Sequence, residues 1–455
     1  MALVSVNPAT GQNLARYPVH SSSEIERRLA AAHAAAAVWR ELPASARARH
    51  LRALATTLHH ERDALAAVVT AEMGKPRADA LAEVAKCIAC CRHYARHGAT
   101  FLRSEKPNGA PRGVSVQPEP LGVVLAIMPW NYPLWQVIRA AVPALVAGNV
   151  LLLKHAGNVT GTALALVAAF RRAGLPAGAF DCLLVPGAAL EPLITDPRVR
   201  GVTFTGGTVV GRHIAALAGA ALKPAVLELG GSDPYLILSD ADLPSAARAC
   251  AAARLVNNGQ SCIAAKRFLA HARVADEFTH LFAAELAAFS YGNPLAAGVR
   301  LGPLARFDLR EALHSQVTRS IRRGARRVLG GQVPAGPGAF YPPTLLTDVA
   351  PGMPATEEEL FGPVAAIEIA ADDDALLAAA NRSIYGLGGA IFTRDVRRAR
   401  AELAPRLEAG MVFINHAVCS HVAVPFGGSK ASGLGRELGR AGVLAFTNPK
   451  TLWCA

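Results

Sequence analysis

Two side chains in this sequence stand in surroundings that would change their reactivity. Cys262 follows the polar, glycine-containing segment at residues 255–261 and precedes another apolar run, so its thiol can meet a substrate. Glu228 lies inside an apolar, strand-like run at residues 225–229 that two glycines follow. A carboxyl group in apolar surroundings tends to have a raised pKa, which suits a general base near neutral pH. The pair predicts a thiol nucleophile that works with a carboxylate base.

A glycine turn adds a candidate phosphate site. Residues 201–205 form an apolar strand-like run, Gly206 and Gly207 follow, and Gly211 begins a helical pattern. The backbone N–H groups and the positive dipole end at such a turn can bind a pyrophosphate. The spacing differs from the usual G-x-G-x-x-G fingerprint, and the turn has no P-loop lysine. Alone, it fits either a dinucleotide site or an ordinary strand-to-helix turn.

These residues need a framework, and the hydrophobic patterns predict an α/β fold. Residues 21–103 carry alanine and leucine at helical spacing, with Ser23 or a neighbour as the N-cap. From residue 122 onward, short apolar runs alternate with helical stretches, which favours βαβ units and parallel, doubly wound sheets. The predicted strands are residues 123–127, 150–153, 182–185, 201–205 and 225–229, and the predicted helices are residues 133–147, 160–173, 190–196, 211–221, 244–255, 275–288 and 306–323.

The composition limits the classes of protein to consider. A chain of 455 residues with 52% hydrophobic residues is long enough for two or three globular domains. The net charge of +13 comes from arginines spread over predicted helix surfaces, so solvated faces are favoured over a nucleic-acid site. The most apolar stretch, residues 121–153, is interrupted by prolines and polar residues, so no membrane span is predicted. No signal peptide is evident, and a cytoplasmic protein is expected.

The cysteines predict reduced thiols. Eight cysteines in a chain of this length are too sparse for a disulfide scaffold. Cys87, Cys90 and Cys91 lie close to His93 and His97, but they fall in a helical pattern without a second ligand pair. We therefore predict no metal site there.

Six short motifs widen the argument to the whole chain. They are MPWNYP at 128–133, LLKHA at 152–156, ELGG at 228–231, GQSC at 259–262, ELFGP at 359–363 and PFGGSKASG at 425–433. In this order and spacing the sequence resembles the NAD(P)-dependent aldehyde dehydrogenase superfamily, and most of all its short bacterial succinate semialdehyde dehydrogenases. The resemblance implies an aldehyde dehydrogenase-like α/β fold with two doubly wound parallel-sheet domains.

The resemblance assigns three catalytic roles. Cys262 attacks the aldehyde as a thiolate, and the side-chain amide of Asn131 holds the resulting oxyanion together with the Cys262 backbone N–H. Glu228 then deprotonates the water that hydrolyses the thioester. Outside this motif, Asn131 would be an ordinary turn residue.

The resemblance also implies a nicotinamide cofactor, either NADP or NAD. It assigns cofactor contacts to Trp130, Asn131, Lys154, Gly157, Gly206, Gly207, Leu229, Glu359 and Phe361. Lys154 meets the adenosine ribose, Glu359 the ribose on the nicotinamide side, and Phe361 packs beside the cofactor. Relatives that prefer NAD often carry a glutamate where this chain has Gly157. Without that repulsive carboxylate, and with His155 near Lys154, we expect NADP or dual use.

The substrate prediction rests on one helix and two loop residues. Trp135 and Arg139 recur at a four-residue step and can share one helix face. Arg139 matches an arginine that grips the distal carboxylate in succinate semialdehyde dehydrogenases, as suits a guanidinium. Ser420 matches a serine that some of those enzymes use at the same carboxylate, and Phe426 is assigned to the same substrate site. The alternative for Arg139 is an ion-paired structural arginine.

Some positions depart from the family pattern. Val256 stands where some succinate semialdehyde dehydrogenases have a second arginine, and Ala264 where redox-regulated members have a second cysteine. Glu437 keeps the carboxylate of a proposed proton relay, but Ala140 replaces its usual lysine partner. These departures leave the core catalytic residues intact.

The sequence thus predicts an enzyme that oxidises a small aldehyde, succinate semialdehyde first of all, as a homodimer or homotetramer. The alternatives are another aliphatic, aromatic or amino aldehyde, and a catalytically inactive binding or structural relative. Residues 1–106 and 121–231 are predicted as the dinucleotide-binding domain, 232–430 as the catalytic domain, and 431–445 as a return to the first. A hairpin at 107–120 and the tail 446–455 would form a small β oligomerisation arm, because an exposed tail strand would otherwise be an unpaired edge.

Overall fold

The computed structural model describes residues 2–454, and its first large sheet has six strands. In spatial order they are Gly433–Leu434, Ala225–Glu228, Val199–Thr205, Val123–Met128, Val150–His155 and Phe180–Cys182. All neighbours are parallel except Gly433–Leu434, which runs antiparallel to its neighbour. Every residue of Val123–Met128 is buried, which explains why this central parallel strand is one continuous apolar run.

The second large sheet has seven strands and carries the elements after residue 231. In spatial order they are Arg326–Leu329, Thr344–Thr347, Val364–Ala370, Arg267–His271, Pro234–Ile237, Gly388–Phe392 and Met411–Ile414. Only the edge strand Arg326–Leu329 is antiparallel to its neighbour. The prediction of an α/β fold with two mainly parallel sheets is confirmed.

Helices cover these sheets and fill the N-terminal part of the chain. Ser21 caps the first helix, since its hydroxyl accepts the Glu24 N–H at 3.2 Å. The α-helices are Ser22–Glu41, Ala44–His60, Arg62–Met73, Arg77–Phe101, Trp135–Ala147, Thr160–Arg172, Leu190–Thr195, Thr208–Ala220, Leu243–Leu255, Ala275–Ala287, Phe307–Arg322, Pro354–Glu357, Asp373–Asn381, Val396–Arg398 and Gly439–Leu444. None of the described helices is long and apolar enough to cross a membrane.

A separate two-stranded ribbon joins the middle of the chain to its end. Val114–Pro120 pairs antiparallel with Thr447–Trp453 from Val114 opposite Trp453 to Pro120 opposite Thr447. Val116 also exchanges two backbone hydrogen bonds with Glu105, at 2.8 and 3.0 Å, which closes the hairpin expected at residues 107–120. The two segments that the sequence predicted as an arm thus pair with each other. Their role in oligomerisation stays a prediction, and residues 1 and 455 of the predicted ranges lie outside the described residues.

Two smaller strand pairs and one difference complete the fold. The pairs are Ala2–Val6 with Asn13–Pro18, and Tyr385–Gly386 with Ser429–Lys430. The strand predicted at residues 182–185 instead spans Phe180–Cys182. Leu183 adds one more hydrogen bond, from its N–H to the Leu153 carbonyl at 2.7 Å, before the chain leaves the sheet. The predicted domain bounds stay a prediction.

Candidate active site

The loop that carries Cys262 begins where the helix Leu243–Leu255 ends. Asn257 and Asn258 adopt left-handed backbone conformations, with φ of 56° and 58°. Asparagine tolerates this region better than most residues with a Cβ. Gly259 follows with φ of 73°, and a Cβ on it would lie 2.3 Å from a neighbouring backbone carbonyl carbon. The polar segment of the sequence is therefore a tight, strained turn that fixes where Cys262 emerges.

Asn131 is tied to this turn from the end of a first-sheet strand. Its side-chain Nδ2 donates to the carbonyl of Gln260 at 3.1 Å. Asn257 Nδ2 donates to the carbonyls of both Asn131 and Gln260, at 2.8 and 3.0 Å. These bonds hold the Asn131 amide beside the residues that lead into Cys262, where an oxyanion donor is needed.

A buried lysine holds the peptide of Cys262, the predicted nucleophile. Lys266 Nζ donates to the carbonyl oxygens of Ser261 and Cys262, at 2.8 and 2.7 Å. The same ammonium lies 3.3 Å from Glu359 Oε1. Burial lowers the pKa of Lys266, whereas the Glu359 carboxylate acts in the opposite direction. Lys266 thus fixes the Cys262 peptide and brings a positive charge close to the thiol.

The thiol itself is strongly desolvated. Burial raises the pKa of Cys262 to about 12, and the charges of Arg139 and Lys266 work against that rise. The carboxylates of Glu359 and Glu228 push the pKa further up. At neutral pH Cys262 is therefore mainly a thiol, and forming the thiolate requires a proton acceptor or an added positive charge.

Glu228 has the environment of a neutral-pH base. Only 2% of the residue is exposed, and neither carboxylate oxygen has a hydrogen-bond partner among residues 2–454. Burial, then the nearby Glu437, raises the pKa of Glu228 well above its ordinary value, while Arg139 lowers it. Gly427 leaves room for the carboxylate, since a Cβ there would lie 2.6 Å from Glu228 Oε1. The raised pKa expected from the sequence is confirmed.

Arg139 is held in a buried ion pair. Its Nε contacts Glu437 Oε2, and the two side chains are 2% and 6% exposed. The guanidinium carbon also lies 4.6 Å from the centre of the Phe426 ring. Phe426 and Glu437 exchange two backbone hydrogen bonds, at 2.7 and 2.8 Å, which bring ring and carboxylate to the same guanidinium. The ion pair that the sequence left as an alternative is present, and Arg139 Nη2 remains buried without a partner among residues 2–454.

The other predicted substrate residues meet at Lys86. Ser420 Oγ accepts a hydrogen bond from Lys86 Nζ at 2.6 Å. The same ammonium lies 4.5 Å from the centre of the Trp135 ring. Trp135 begins the helix Trp135–Ala147, and its N–H donates to the Glu83 carboxylate at 2.9 Å, a favourable anion contact at a helix N-terminus. Trp135 and Ser420 are therefore brought together, through a residue that the motifs did not contain.

The predicted phosphate turn has the expected form. Gly206 and Gly207 separate the strand Val199–Thr205 from the helix Thr208–Ala220. The first-turn N–H groups of a helix have no intrahelical partner, and Gly207 beside them is exposed. Leu229 supports this helix, because a Cβ on Gly211 would lie 2.3 Å from Leu229 Cδ2.

The residues at the C-terminal end of the strand Val150–His155 differ in their availability to a ligand. Lys154 is half-buried, and burial lowers its pKa. His155 is buried, with its ring nitrogens 3.1 and 2.9 Å from two backbone carbonyl oxygens. Both ring nitrogens of His155 are thus engaged by the backbone. The expectation that this ring would help to bind a phosphate is therefore wrong. Gly157 opens the next turn, and a Cβ there would lie 3.3 Å from Leu3.

The residues predicted on the nicotinamide side lie together. Glu359 Oε1 accepts the N–H of Gly231 at 3.1 Å, next to its contact with Lys266. The Phe361 ring is 5.8 Å from the Trp130 ring in an edge-to-face arrangement. A carboxylate and two aromatic rings thus border the loop that holds Cys262.

Three residues of the site, Lys86, Asn257 and Lys266, were not among those predicted from the sequence. A signal for Asn257 existed, since an Asn-Asn-Gly run favours left-handed turns. Lys266 lies four residues after Cys262, but nothing local marks it as buried. Among residues 2–454 no group of three or more His, Cys, Asp and Glu side chains is arranged to hold a metal.

A half-buried thiol, a buried carboxylate without a hydrogen-bond partner among residues 2–454 and an amide donor therefore belong to one site. The sequence matches the aldehyde dehydrogenase family over residues 2–452, and the chain belongs to that family. It is 47% identical to the succinate semialdehyde dehydrogenase [NAD(P)+] Sad of Escherichia coli K12, covering 99% of this chain and 97% of the relative. It is 44% identical to a probable succinate-semialdehyde dehydrogenase [NADP(+)] of Synechocystis, covering 100% of both chains.

A solved structure agrees with these relatives. The succinic semialdehyde dehydrogenase of Streptococcus pyogenes, in complex with NADP+, superimposes with a TM-score of 0.96 at 32% identity over 100% of both chains. The predicted family, the resemblance to succinate semialdehyde dehydrogenases and the predicted fold are confirmed. The individual residue roles stay predictions.

Proposed function

We propose that this chain oxidises succinate semialdehyde to succinate with NADP or NAD as hydride acceptor. The observation that carries the proposal is the group of Cys262, Asn131 and Glu228. A half-buried thiol, an amide donor tied to the loop before it and a buried carboxylate without a partner among residues 2–454 share one site. The names of the similar enzymes from Escherichia coli and Synechocystis support the choice of substrate and cofactor.

The reaction begins at Cys262. The Cys262 thiol first loses its proton to water in the site, and the thiolate sulfur then bonds to the aldehyde carbon while the carbonyl electron pair moves onto oxygen. Asn131 Nδ2 and the Cys262 backbone N–H donate to that oxyanion, with the carbonyl of Gln260 and the side chain of Asn257 keeping the Asn131 amide in position. When bound, NAD(P)+ supplies the acceptor for the hydride that leaves this carbon. As the hydride leaves, the electron pair on the oxyanion re-forms the carbon–oxygen double bond, and a thioester on Cys262 results.

We assign the hydrolysis of the thioester to Glu228. Its carboxylate takes a proton from water while the water oxygen bonds to the thioester carbon, and the carbon–sulfur bond breaks to release the acid and the Cys262 thiolate. A raised pKa makes Glu228 a stronger base than an ordinary glutamate, because the protonated form is favoured by its burial. Neither oxygen is engaged by another described residue, so both lone-pair sets are available to water.

The chain offers a set of groups that fits a dinucleotide. We propose that the helix N-terminus after Gly206 and Gly207 faces the pyrophosphate, that Lys154 meets the adenosine ribose, and that Glu359 accepts hydrogen bonds from the other ribose. Trp130, Asn131, Leu229 and Phe361 complete the contacts. Gly157 supports use of NADP, since no carboxylate there repels a 2′-phosphate.

The substrate end is assigned to Arg139, Trp135, Ser420 and Phe426. Arg139 Nη2 has no hydrogen-bond partner among residues 2–454 while its Nε contacts Glu437, so one edge of the guanidinium can still donate to a carboxylate. Phe426 lies under that guanidinium and gives the aldehyde chain an apolar wall.

We further propose a homodimer or homotetramer that works in the cytoplasm. The ribbon of Val114–Pro120 and Thr447–Trp453 supports an oligomerisation arm, since pairing with another copy would cover its open edges. Eight cysteines without a disulfide framework fit a reducing compartment. In this proposal residues 1–106 and 121–231 form the cofactor domain, 232–430 the catalytic domain, and 431–445 return to the first.

The test is a panel of aldehydes assayed with NADP and NAD separately and scored by kcat/KM. Succinate semialdehyde should exceed butanal by at least about tenfold, the effect of one charge-assisted contact, and Cys262→Ala should abolish turnover. A better rate with another aldehyde would move the substrate assignment within the family. Cofactor binding without reduction of NADP or NAD by any aldehyde would reject the catalytic proposal altogether.

A further inference from the structure

Lys86 holds an ammonium group in an unusual place. It lies on the helix Arg77–Phe101, and its stem is half-buried. Its Nζ donates to Ser420 Oγ at 2.6 Å and lies 4.5 Å from the Trp135 ring centre. Both contacts are neutral groups that we assign to the substrate, so the ammonium faces the substrate side and not the outer surface of the helix.

The charge of Lys86 has no carboxylate beside it. No side-chain carboxylate within residues 2–454 lies within 4.0 Å of Lys86 Nζ. The nearest acidic candidate on its own helix, Glu83, is occupied. One oxygen of Glu83 pairs with Lys75, and the other accepts the N–H groups of Leu134 and Trp135, both at 2.9 Å. Burial, with Arg139 adding to it, lowers the pKa of Lys86, which reflects an ammonium that its protein surroundings do not neutralise.

Arg139 differs from Lys86 in this respect. Its guanidinium is compensated by Glu437 within a buried pair, so the two charges sum to zero. An anionic substrate end would meet little net attraction from that pair alone. A carboxylate that reaches Ser420 and Trp135 would gain a full positive charge only from Lys86.

We propose that Lys86 is a specificity-determining residue that binds the distal carboxylate of the aldehyde, with Ser420 as its neutral co-donor. In free enzyme the Ser420 hydroxyl accepts from Lys86, and with substrate bound both groups donate to the carboxylate. Arg139 then contributes its free Nη2 edge from the other side, while its Nε stays with Glu437. The inference rests on the proposed oxidation of a carboxylate-bearing aldehyde, and it assigns the charge selectivity to a residue outside the family motifs.

The experiment compares matched anionic and neutral aldehydes. Purified enzyme at saturating NADP is assayed with succinate semialdehyde against butanal, and with 4-carboxybenzaldehyde against benzaldehyde. The variants are Lys86→Met, which keeps the stem and removes the charge, and Lys86→Arg, which restores a cation. Lys106→Met, at an exposed lysine, serves as the matched control. Thermal unfolding of each variant verifies that the fold is intact.

We expect Lys86→Met to lower kcat/KM for the anionic aldehydes by roughly tenfold to 100-fold, mainly through KM. The neutral aldehydes should change by less than about twofold, a difference too small for a lost charged contact. Lys86→Arg should recover at least part of the loss, and Lys106→Met should match the wild type. A fall of similar size for neutral and anionic aldehydes would overturn the inference, because it would indicate a merely structural lysine.

The two proposals fail in different ways. If the wild type prefers succinate semialdehyde and Lys86→Met retains that preference, the proposed function stands and the inference about Lys86 is wrong. If the wild type does not prefer succinate semialdehyde but Lys86→Met still weakens 4-carboxybenzaldehyde selectively, the carboxylate site stands and the substrate assignment fails. If neither anionic aldehyde is preferred by the wild type, both are rejected.

Discussion

Removing one partner of the Arg139–Glu437 ion pair should destabilise the protein strongly. Both side chains are buried, at 2% and 6% exposure, so solvent does not screen the lost interaction as it does at a surface. Arg139→Met keeps much of the apolar bulk but leaves Glu437 without its counter-ion. Breaking a buried pair in this way costs about 3–5 kcal/mol of unfolding free energy.

The double substitution should cost less than the single one. Arg139→Met with Glu437→Gln removes both charges, and a buried pair replaced by neutral groups is often close to neutral in stability. A double-mutant cycle should therefore return a coupling free energy of roughly 2 kcal/mol or more between these positions. Unfolding by urea, followed by tryptophan fluorescence at fixed protein concentration, measures each corner of the cycle.

The deficit of Arg139→Met should also depend on pH. Burial raises the pKa of Glu437, and Arg139 now restrains that rise, so the variant raises the pKa further. A carboxyl group with a folded pKa above its unfolded value destabilises the fold as pH rises through the folded pKa, and the penalty disappears below the unfolded pKa of about 4.3. The variant should recover towards the wild type as pH is lowered from 7.5 to about 5. A deficit that is equal at both pH values, or equal in the single and double variants, would refute the ion-pair reasoning.

Three further predictions follow from other parts of the site. Glu228→Gln should lower steady-state kcat by roughly 100-fold to 10,000-fold, because the thioester is no longer hydrolysed efficiently. Stopped-flow absorbance should still show a burst of about one NADPH per site. Loss of the burst would mean that Glu228 also takes part in the formation of the thioester. Gly157→Glu, which Leu3 can accommodate by a small shift, should raise KM for NADP by about tenfold or more with little change for NAD. Equal changes for both cofactors would contradict repulsion between the new carboxylate and the 2′-phosphate. With a pKa of about 12, Cys262 of the free enzyme should react with iodoacetamide about tenfold faster per pH unit between about pH 7 and 9. Mass spectrometry measures the rate of Cys262 alkylation, and a rate that stops rising near pH 8 would contradict this pKa.

Local sequence patterns were sufficient to identify residues whose environment is set by their neighbours along the chain. Glu228 could be recognised because the apolar run around it is a buried strand. The Cys262 loop could be recognised because asparagine and glycine accept left-handed conformations, which the structure contains. The order of strands and helices followed from hydrophobic period, and it identified the two parallel sheets.

The ion-pair and hydrogen-bond partners of the charged residues could not be predicted from local sequence patterns. Lys86 meets Ser420 across 334 positions of sequence separation, and no periodicity connects the two. The four-residue step from Trp135 to Arg139 gave a shared helix face but not the carboxylate of Glu437 that the fold brings to it. In the proposed function, selectivity for a charged aldehyde would depend on these long-range pairs, which the family motifs do not contain.

The Arg139–Glu437 ion pair affects the pKa values of both Cys262 and Glu228. In the proposed mechanism, a positive charge near Cys262 favours its thiolate, and a negative charge near Glu228 makes that carboxylate a stronger base. Arg139 is the largest charge that lowers the pKa of Cys262, and Glu437 is the largest charge that raises the pKa of Glu228. A single cation would favour the thiolate but weaken the base, since Arg139 also lowers the pKa of Glu228. Glu437 offsets that effect at the base while Arg139 still acts on the thiol, so one buried pair tunes both groups in the directions that their successive steps require.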